Sequence, residues 1–263
     1  MKKNQIIIGT SAWGSKISFK DSLNIGTCLI EMGIKEFDTA PHYGSGYSHH
    51  ILNILAKVNK IEVNTKYGDT LSPNIKEILK RIYRYNDLKS FKNSFKYLEF
   101  SKIKRFKKSF WNLNNIEENL DLYLNDLNKC RVKTLFLHSP PKDILNKTYL
   151  ELVNSHLIKR NMKFGVSWPN HSDYEFLLSE FPNLILQISL NCFLKNQKKI
   201  VENFKFVYIN SIFKNSIDLK KNKSTKTSLK NYLHDIEIPD NYKIIIGINS
   251  KKSVEKIIKI IYS

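Results

Sequence analysis

Cysteine is scarce in this chain of 263 residues, and long apolar runs are missing. The three cysteines, Cys28, Cys130 and Cys192, lie far apart with no paired spacing, which argues against a disulfide framework or a structural zinc site. No apolar run approaches the ~18 residues of a membrane-spanning helix. Residues 1–5 lead into an apolar stretch too short for a signal-peptide core. We therefore expect a protein of the reducing cytoplasm with no membrane association.

Acidic residues are also few, with 24 Asp and Glu against 43 Lys and Arg. The resulting net charge of +19 and pI near 9.6 would attract nucleic acid, anionic lipid or phosphorylated ligands. However, lysine, asparagine and isoleucine are abundant together, as the coding bias of an AT-rich genome produces. We favour this bias over a nucleic-acid role as the source of the charge.

No G-x-G-x-x-G sequence follows a predicted strand, which argues against a Rossmann domain. Short apolar runs instead alternate with helical patterns, as expected for a parallel sheet. We predict strands at 5–9, 34–37, 61–66, 133–138, 163–167, 184–188, 206–210 and 243–247. The main predicted helices cover 21–32, 48–58, 143–159, 173–181 and 253–262, with another starting at Asn115 and a short one near 227–234. Eight such units predict an α/β fold, a single (β/α)8 TIM barrel over residues 1–263.

Residues 67–111 form a basic, aromatic-rich insertion after the third strand. Between Lys76 and Lys108 there are twelve basic residues and three acids, interleaved with tyrosine and phenylalanine. Such a mixture can bind single-stranded nucleic acid by charge and stacking. It can equally be a helical excursion whose rings pack on the barrel, and we favour this second interpretation. An insertion at this position lies on the active face, where it could act as a lid.

Four ionisable side chains stand where successive predicted strands end. Asp38 and Tyr43 follow the second strand, Lys66 ends the third and His138 ends the fourth. Because strand ends from different units of a parallel barrel converge on one face, we expect these four side chains to form an acid–base site.

The same residues carry a resemblance to the aldo-keto reductase family. The DTA-x-x-YG motif of the family is present at 38–44, its TK at 65–66 and its LH at 137–138, and the resemblance extends from residue 9 to residue 250. The sequence is most similar to a bacterial subgroup with IIGVNS-like and RSVF-like motifs. The resemblance implies an NAD(P)H-dependent carbonyl reductase or alcohol dehydrogenase acting on an aldehyde, ketone or sugar-like substrate.

The resemblance also implies a role for each of the four residues. An acid must supply a proton to the carbonyl oxygen as hydride arrives, and Tyr43 takes that role. Lys66 lowers the pKa of Tyr43, because an ammonium beside a phenol favours the phenolate form. Asp38 pairs with Lys66 and fixes its position. His138 orients the substrate carbonyl.

Further positions match the cofactor site of the family. Ser167 and Gln187 correspond to side chains that bind the nicotinamide carboxamide, and Asn210 stands at the position that often stacks on the ring. Gly247, Asn249 and Ser250 lead into the last helix, whose N-terminus favours a phosphate. Lys251 and Lys252 could meet a 2′-phosphate, which favours NADP over NAD.

Some positions depart from the family pattern. Trp168 replaces the expected Asn, Asn210 replaces an aromatic residue or Arg, and Ile257 lies in the usual adenosine motif. These departures and the charge of +19 support an alternative, in which a catalytically impaired barrel binds an anionic ligand or nucleic acid through residues 67–111.

Three histidines, His42, His49 and His50, crowd the loop after the DTA motif. Beyond Asp38, no cysteine or acid follows at ligand spacing, and adjacent histidines rarely share one ion without strain. We therefore predict no metal site.

Overall fold

Eight parallel strands, each hydrogen-bonded to the next in sequence, close into a barrel. The structure is a computed structural model and describes residues 3–68, 111, 116–141, 144–167, 179, 181–211, 238–248, 250 and 254–255. The strands are β1 (Ile6–Gly9), β2 (Glu36–Asp38), β3 (Glu62–Tyr67), β4 (Arg131–His138), β5 (Lys163–Ser167), β6 (Ile185–Ser189), β7 (Phe206–Asn210) and β8 (Lys243–Gly247). This topology confirms the predicted (β/α)8 barrel, while the single-domain extent over 1–263 stays a prediction.

Helices connect the strands on the outside of the barrel. Their bounds are α1 (Phe19–Glu31), α2 (Tyr47–Val58), α3 (Ile116–Asn125), α4 (Lys147–Lys159), α5 (Leu190–Lys195) and α6 (Gln197–Asn203). The predicted helices 173–181, 227–234 and 253–262 lie largely or wholly outside the described residues, as does the predicted cap Asn115. Among the helices that are described, none is long and apolar enough to cross a membrane.

The first helix begins earlier than the sequence predicted. Ser18, rather than Asp21, is its N-cap: the Ser18 hydroxyl accepts a hydrogen bond from the backbone N–H of Asp21 and donates one to the Asp21 carboxylate. This reciprocal arrangement resembles a capping box, in which serine takes the cap and the acid lies three residues later. Gly33 ends the helix as predicted, at φ +88°, a conformation that glycine adopts without strain.

The helices α5 and α6 were missed by the sequence analysis. They lie between β6 and β7, where the sequence analysis predicted no helix. Both are short, at six and seven residues, and each buries few side chains. A helix of that length gives too few repeats for its periodicity to stand out.

The interior of the barrel is filled by an apolar layer. Side chains from five strands meet there and are buried: Ile7, Phe136, Ile185, Tyr208 and Ile245. This is the packed centre expected of an eight-stranded barrel, which has no open pore. The layer separates the ionic group at the end where the strands finish from the one at the end where they begin.

The two ends of the insertion meet at the exit of β3. The Trp111 ring lies against Gly68, so closely that a Cβ on Gly68 would come within 2.1 Å of it. Trp111 also packs edge-on against Tyr67, with ring centroids 5.8 Å apart. The insertion therefore leaves and rejoins the barrel at one place, beside Lys66. Residues 69–110, including the rings on which the lid and nucleic-acid interpretations depend, lie outside the described part of the chain.

Two glycines give a matched test of the interior packing. A Cβ on Gly165 would lie 2.5 Å from the Phe136 ring and 2.7 Å from the carbonyl oxygen of Ile185, whereas a Cβ on Gly247 would meet none of the described residues within 4 Å. Overpacking of this kind costs about 1–3 kcal/mol. We expect Gly165→Ala to lower the free energy of unfolding in denaturant titrations by that amount. Gly247→Ala should change it by less than about 0.5 kcal/mol, and equal losses would contradict the packing described here.

Candidate active site

The four predicted ionisable residues lie at the end of the barrel where the strands finish. Asp38 and His138 are the last residues of β2 and β4, Lys66 is the penultimate residue of β3, and Tyr43 opens a 3-10 helix, Tyr43–Gly46. The Lys66 Nζ is 2.6 Å from Asp38 Oδ2 and 5.1 Å from the centroid of the Tyr43 ring. The expected convergence of Asp38, Lys66 and Tyr43 is therefore present in the structure.

The Lys66 ammonium is buried and its hydrogen-bonding capacity is used. One N–H contacts Asp38, a second donates to the carbonyl oxygen of Thr39 at 3.0 Å, and the Tyr43 hydroxyl provides the third partner. Burial by itself would lower the pKa of Lys66, but its interactions with Asp38 and then Tyr43 outweigh burial and raise that pKa above its ordinary value. Lys66 is therefore a permanent cation at neutral pH.

Asp38 is held from two sides. Its Oδ2 accepts from Lys66, and its Oδ1 accepts from the side-chain amide of Gln187 at 2.9 Å. Asp38 is 4% exposed and Gln187 is 1% exposed, so both bonds lie away from solvent. With both oxygens engaged, the Asp38 carboxylate fixes the position of Lys66 and has no access to a substrate proton.

A chain of three buried hydroxyls joins the loop after β1 to the loop that carries Tyr43. Ser48 Oγ lies 2.5 Å from Thr10 Oγ1 and 2.8 Å from Thr39 Oγ1, and Thr10 also donates to the carbonyl oxygen of Asp38. These bonds tie the exits of β1 and β2 to the start of α2. The backbone on both sides of Tyr43 is thereby fixed relative to Asp38.

His42 joins the site, although the sequence analysis gave it no catalytic role. Its ring stacks on His138, with centroids 5.4 Å apart and planes 8° from parallel, and it meets the Tyr43 ring edge-on at 4.9 Å. The position of His42 directly before Tyr43 was the available signal, but a local pattern does not reveal the stacking on β4. His42 thus connects His138 to the Tyr43–Lys66–Asp38 group.

Two imidazoles near Lys66 are kept neutral. Burial lowers the pKa of His138 to about 3, and the nearby Lys66 and His42 act in the same direction. Burial, and then His42 and Lys66, lowers the pKa of His49 to about 3 as well. At neutral pH each ring therefore carries one N–H donor and one acceptor nitrogen.

The three clustered histidines turn to different partners. His42 stacks on His138, His49 is buried with its Nε2 3.5 Å from Thr65 Oγ1, and His50 packs on Phe19. Within the residues that the structure describes, no three His, Cys, Asp or Glu side chains converge as metal ligands. The side chains therefore point away from a shared centre.

The end of the barrel offers groups that fit a nicotinamide cofactor. Ser167, Gln187 and Gly247 lie at or near the exits of β5, β6 and β8. The Gln187 Oε1 is buried and accepts no hydrogen bond from the residues described, so it can accept one from a carboxamide N–H. Among the described residues, none comes within 4 Å of a Cβ built on Gly247, at the exit of β8. Both features fit the predicted carboxamide and phosphate contacts.

The remaining predicted cofactor residues are only partly described. Asn210 ends β7, half-buried, and its side-chain oxygen accepts a hydrogen bond from Ser211 Oγ at 3.1 Å. Ser250 follows β8. Asn249, Lys251, Lys252, Trp168 and Ile257 lie outside the described residues, so their proposed contacts stay predictions.

The low pKa of His49 makes stability depend on pH. Its pKa is about 3 in the folded protein and about 6.5 when unfolded, so the unfolded chain binds more protons between these values and stability falls as pH drops below 6.5. The loss from pH 6.5 to pH 5 is about 2 kcal/mol for His49. Denaturant titrations should show that, between pH 6.5 and pH 5, the free energy of unfolding of His49→Gln falls by about 2 kcal/mol less than that of the unmodified protein.

The control for this experiment is His50→Gln, which changes a half-buried histidine on the same helix. It should keep most of the pH slope. An unchanged slope in His49→Gln would mean that His49 does not carry the dependence.

Comparison with known proteins agrees with this geometry. The family model described as "Aldo/keto reductase family" matches residues 5–205. Among curated proteins, none matches the sequence. The fold is similar to an aldo-keto reductase from Bacillus halodurans in its holo form, with TM-score 0.65, 13% identity, and coverage of 96% of this chain and 86% of that one. It is also similar to a glycerol dehydrogenase from Gluconobacter oxydans, with TM-score 0.62, 13% identity, and coverage of 97% and 86%.

The family match spans well over half of the chain, and the barrel carries the residues of the motif at the end where its strands finish. The chain therefore belongs to the aldo-keto reductase family of oxidoreductases.

Proposed function

We propose that this protein is an NADP-dependent carbonyl reductase, able to run in reverse as an alcohol dehydrogenase, with Tyr43 as its general acid. The observation that carries the proposal is the buried Lys66 ammonium held between Asp38 and Tyr43. The substrate is an aldehyde, ketone or sugar-like carbonyl compound. We place the protein in the reducing cytoplasm, because Cys28, Cys130 and Cys192 have no paired spacing in the sequence.

The proton comes from Tyr43. Its hydroxyl interacts with Lys66, and a fixed positive charge beside a phenol stabilises the phenolate that remains after the proton leaves. Asp38 and the Thr39 carbonyl hold the ammonium in place, so little reorganisation is needed during the transfer. In the oxidative direction the same phenolate is the base.

His138 orients the carbonyl. Because its pKa is about 3, the ring is neutral at neutral pH and can donate one hydrogen bond to a carbonyl oxygen without competing as the acid. The stacked His42 ring restricts how His138 can turn. We therefore assign proton transfer to Tyr43 and orientation to His138.

The cofactor would be held by Ser167 and Gln187 at the carboxamide and by Gly247, Asn249 and Ser250 at a phosphate. A bound nicotinamide supplies the hydride for this chemistry. The hydrogen bond from Gln187 to Asp38 connects the carboxamide site to the Lys66–Asp38 pair, because the Gln187 amide can contact the carboxamide and Asp38 at the same time. Asn210 lies at the position of the ring-stacking residue, and Lys251 and Lys252 provide the preference for NADP.

Tyr43→Phe should lower carbonyl reduction by about 10²-fold or more, because it removes the proton donor and keeps the ring. Turnover would be measured with a panel of aldehydes, ketones and sugars, and cofactor affinity by fluorescence titration. Affinity should change little.

The matched control is Tyr47→Phe, which removes the hydroxyl of a buried tyrosine four residues away and should retain turnover. Lys66→Met should impair turnover and shift the pH–rate profile, because the phenolate loses its counter-charge. Unchanged turnover in Tyr43→Phe would rule out Tyr43 as the acid.

The cofactor preference rests on Lys251 and Lys252. Replacing both with alanine should weaken the binding of NADPH by about 1–3 kcal/mol, because charge-assisted hydrogen bonds to the 2′-phosphate are lost. NADH, which lacks this phosphate, should be affected far less in parallel fluorescence titrations.

Lys198→Ala with Lys199→Ala is the control, since it removes an adjacent pair of exposed lysines on α6. It should leave both affinities unchanged. If replacing Lys251 and Lys252 weakened the binding of NADPH and NADH equally, the two lysines would act only through the overall positive charge of the protein and not through the 2′-phosphate. If the unmodified protein bound neither cofactor, the alternative of an impaired barrel that binds an anion would be preferred.

A further inference from the structure

A cleft of about 690 Å³ opens at the face of the barrel where the strands begin, opposite the end that carries Tyr43. Two acids, Glu36 and Glu62, contribute to its lining. Six basic side chains also line it: Lys35, Lys60, Lys129, Arg131, Lys133 and Lys243. The catalytic scheme uses none of these residues.

A β-bulge brings Lys133 into the cleft. The pairing of β3 with β4 shifts after Val63, which pairs with Val132, so that Asn64 pairs with Thr134 and Lys133 is the extra residue. A bulge of this kind redirects a side chain. Here the Lys133 ammonium reaches both acids, at 3.1 Å from Glu36 and 2.5 Å from Glu62.

Three cations share the two carboxylates. Lys133 and Lys243 converge on the same oxygen, Glu36 Oε2, and Arg131 lies 3.1 Å from Glu62 Oε1. The side chains of Lys133, Lys243 and Glu36 are 24%, 20% and 11% exposed, so solvent screens them only in part. The carboxylates of the cluster therefore leave positive charge uncompensated.

The ionisation of Lys243 agrees with this deficit. Burial lowers its pKa, Glu36 offsets that effect only in part, and Lys133 lowers it further, so the net pKa is below the ordinary value. Glu36 responds in the opposite sense: burial raises its pKa, but Lys243, Asn64 and Lys133 lower it by more. A second anion would relieve the repulsion between the two ammonium groups.

Two helix ends oppose this charge without cancelling it. The residues that follow α1 and α2, Gly33 and Asn59, border the cleft, and each helix C-terminus carries about half a negative charge. Set against six basic and two acidic side chains, the two ends leave an excess of about three positive charges. The cleft therefore favours an anion over a cation.

The size and walls of the cleft indicate an organic ligand. Its volume falls in the range of about 300–1,000 Å³ that small-molecule sites occupy, and is far larger than an inorganic phosphate needs. Ile6, Ile34, Ala56 and Ile61 provide an apolar wall beside the charges. Arg131 offers the planar guanidinium that pairs well with phosphate oxygens.

We propose that this cleft is a second ligand site, which binds a small phosphorylated organic anion through Arg131, Lys133 and Lys243, with Lys60 and Lys129 adding charge at its exposed edge. It is separate from the cofactor site and does not depend on the reductase activity.

The probe for this site is phenyl phosphate, which has neither a carbonyl nor an adenosine group. Its affinity would be measured by isothermal titration calorimetry at an ionic strength of about 0.15 M, where exposed charges more than about 8 Å apart are largely screened. The test variant is K60Q/K129Q/R131Q, which removes three exposed cations of the cleft and so should fold normally. We expect its affinity to fall at least about 10-fold.

The matched control is K20Q/K159Q/K195Q, which also removes three exposed lysines, none of them lining the cleft. Its affinity should stay within about twofold of the unmodified protein, because long-range charge is screened. Inorganic phosphate should bind more weakly than phenyl phosphate, because it makes no contact with the apolar wall.

Several results would overturn the proposal. Equal loss of phenyl phosphate affinity in the two triple variants would mean that the probe responds only to the overall charge of the protein. Loss of affinity in K251A/K252A would mean that the probe binds at the expected cofactor site. No binding of phenyl phosphate to the unmodified protein would leave the cluster as a structural ion-pair network. Lys243→Gln tests the half-buried part of the site, provided that its thermal unfolding shows a folded protein, and retained affinity there would count against the proposed contacts.

Discussion

The buried ion pair between Lys66 and Asp38 constrains the whole catalytic end of the barrel. Two charges taken out of water cost several kcal/mol each unless their geometry and remaining hydrogen bonds are complete. Completion here needs Gln187, which is 149 residues from Asp38 in sequence, and the backbone oxygen of Thr39. The pair is therefore tolerable only once β6 lies across the barrel from β2, so that the geometry of this site and the formation of the barrel depend on each other.

The alternation of β2 places an acid at each end of the barrel. Glu36 and Asp38 are two residues apart and so face the same side, the interior. Each is paired with lysine: Asp38 with Lys66 at the catalytic end, and Glu36 with Lys133 and Lys243 at the other. The apolar layer around Phe136 lies between these two ionic groups and separates one from the other. One strand of three residues thus organises both ends.

Features encoded locally could be predicted from the sequence. The strand limits agree within about two residues, because alternation of short apolar runs and helical patterns is read over a few neighbours. The convergence of Asp38, Lys66 and Tyr43 followed from their places at strand ends. The cap of α1 was misplaced because Ser18 and Asp21 are both acceptable caps, and only their mutual hydrogen bonds distinguish them.

Contacts between distant segments could not be predicted in this way. The bond from Gln187 to Asp38 and the stacking of His42 on His138 each join strands or loops whose register is known only after closure. The same holds for the contact of Lys243 with Glu36, which spans 207 residues. A sequence pattern gives the type of residue at a strand end, whereas the partner depends on barrel closure and on the bulge at Lys133.

The location of the charge bears on how the net +19 should be interpreted. At the catalytic end Lys66 is matched by Asp38, and the neighbouring His138 and His49 are kept neutral by burial. At the opposite end basic side chains stand at or just before the starts of several strands: Lys35, Lys60, Arg131, Lys163, Lys205 and Lys243. Coding bias explains why lysine is frequent, but it does not explain why half-buried lysines share too few carboxylates. The imbalance follows from where these residues lie, because the fold brings the strand starts, and with them the basic side chains, close together.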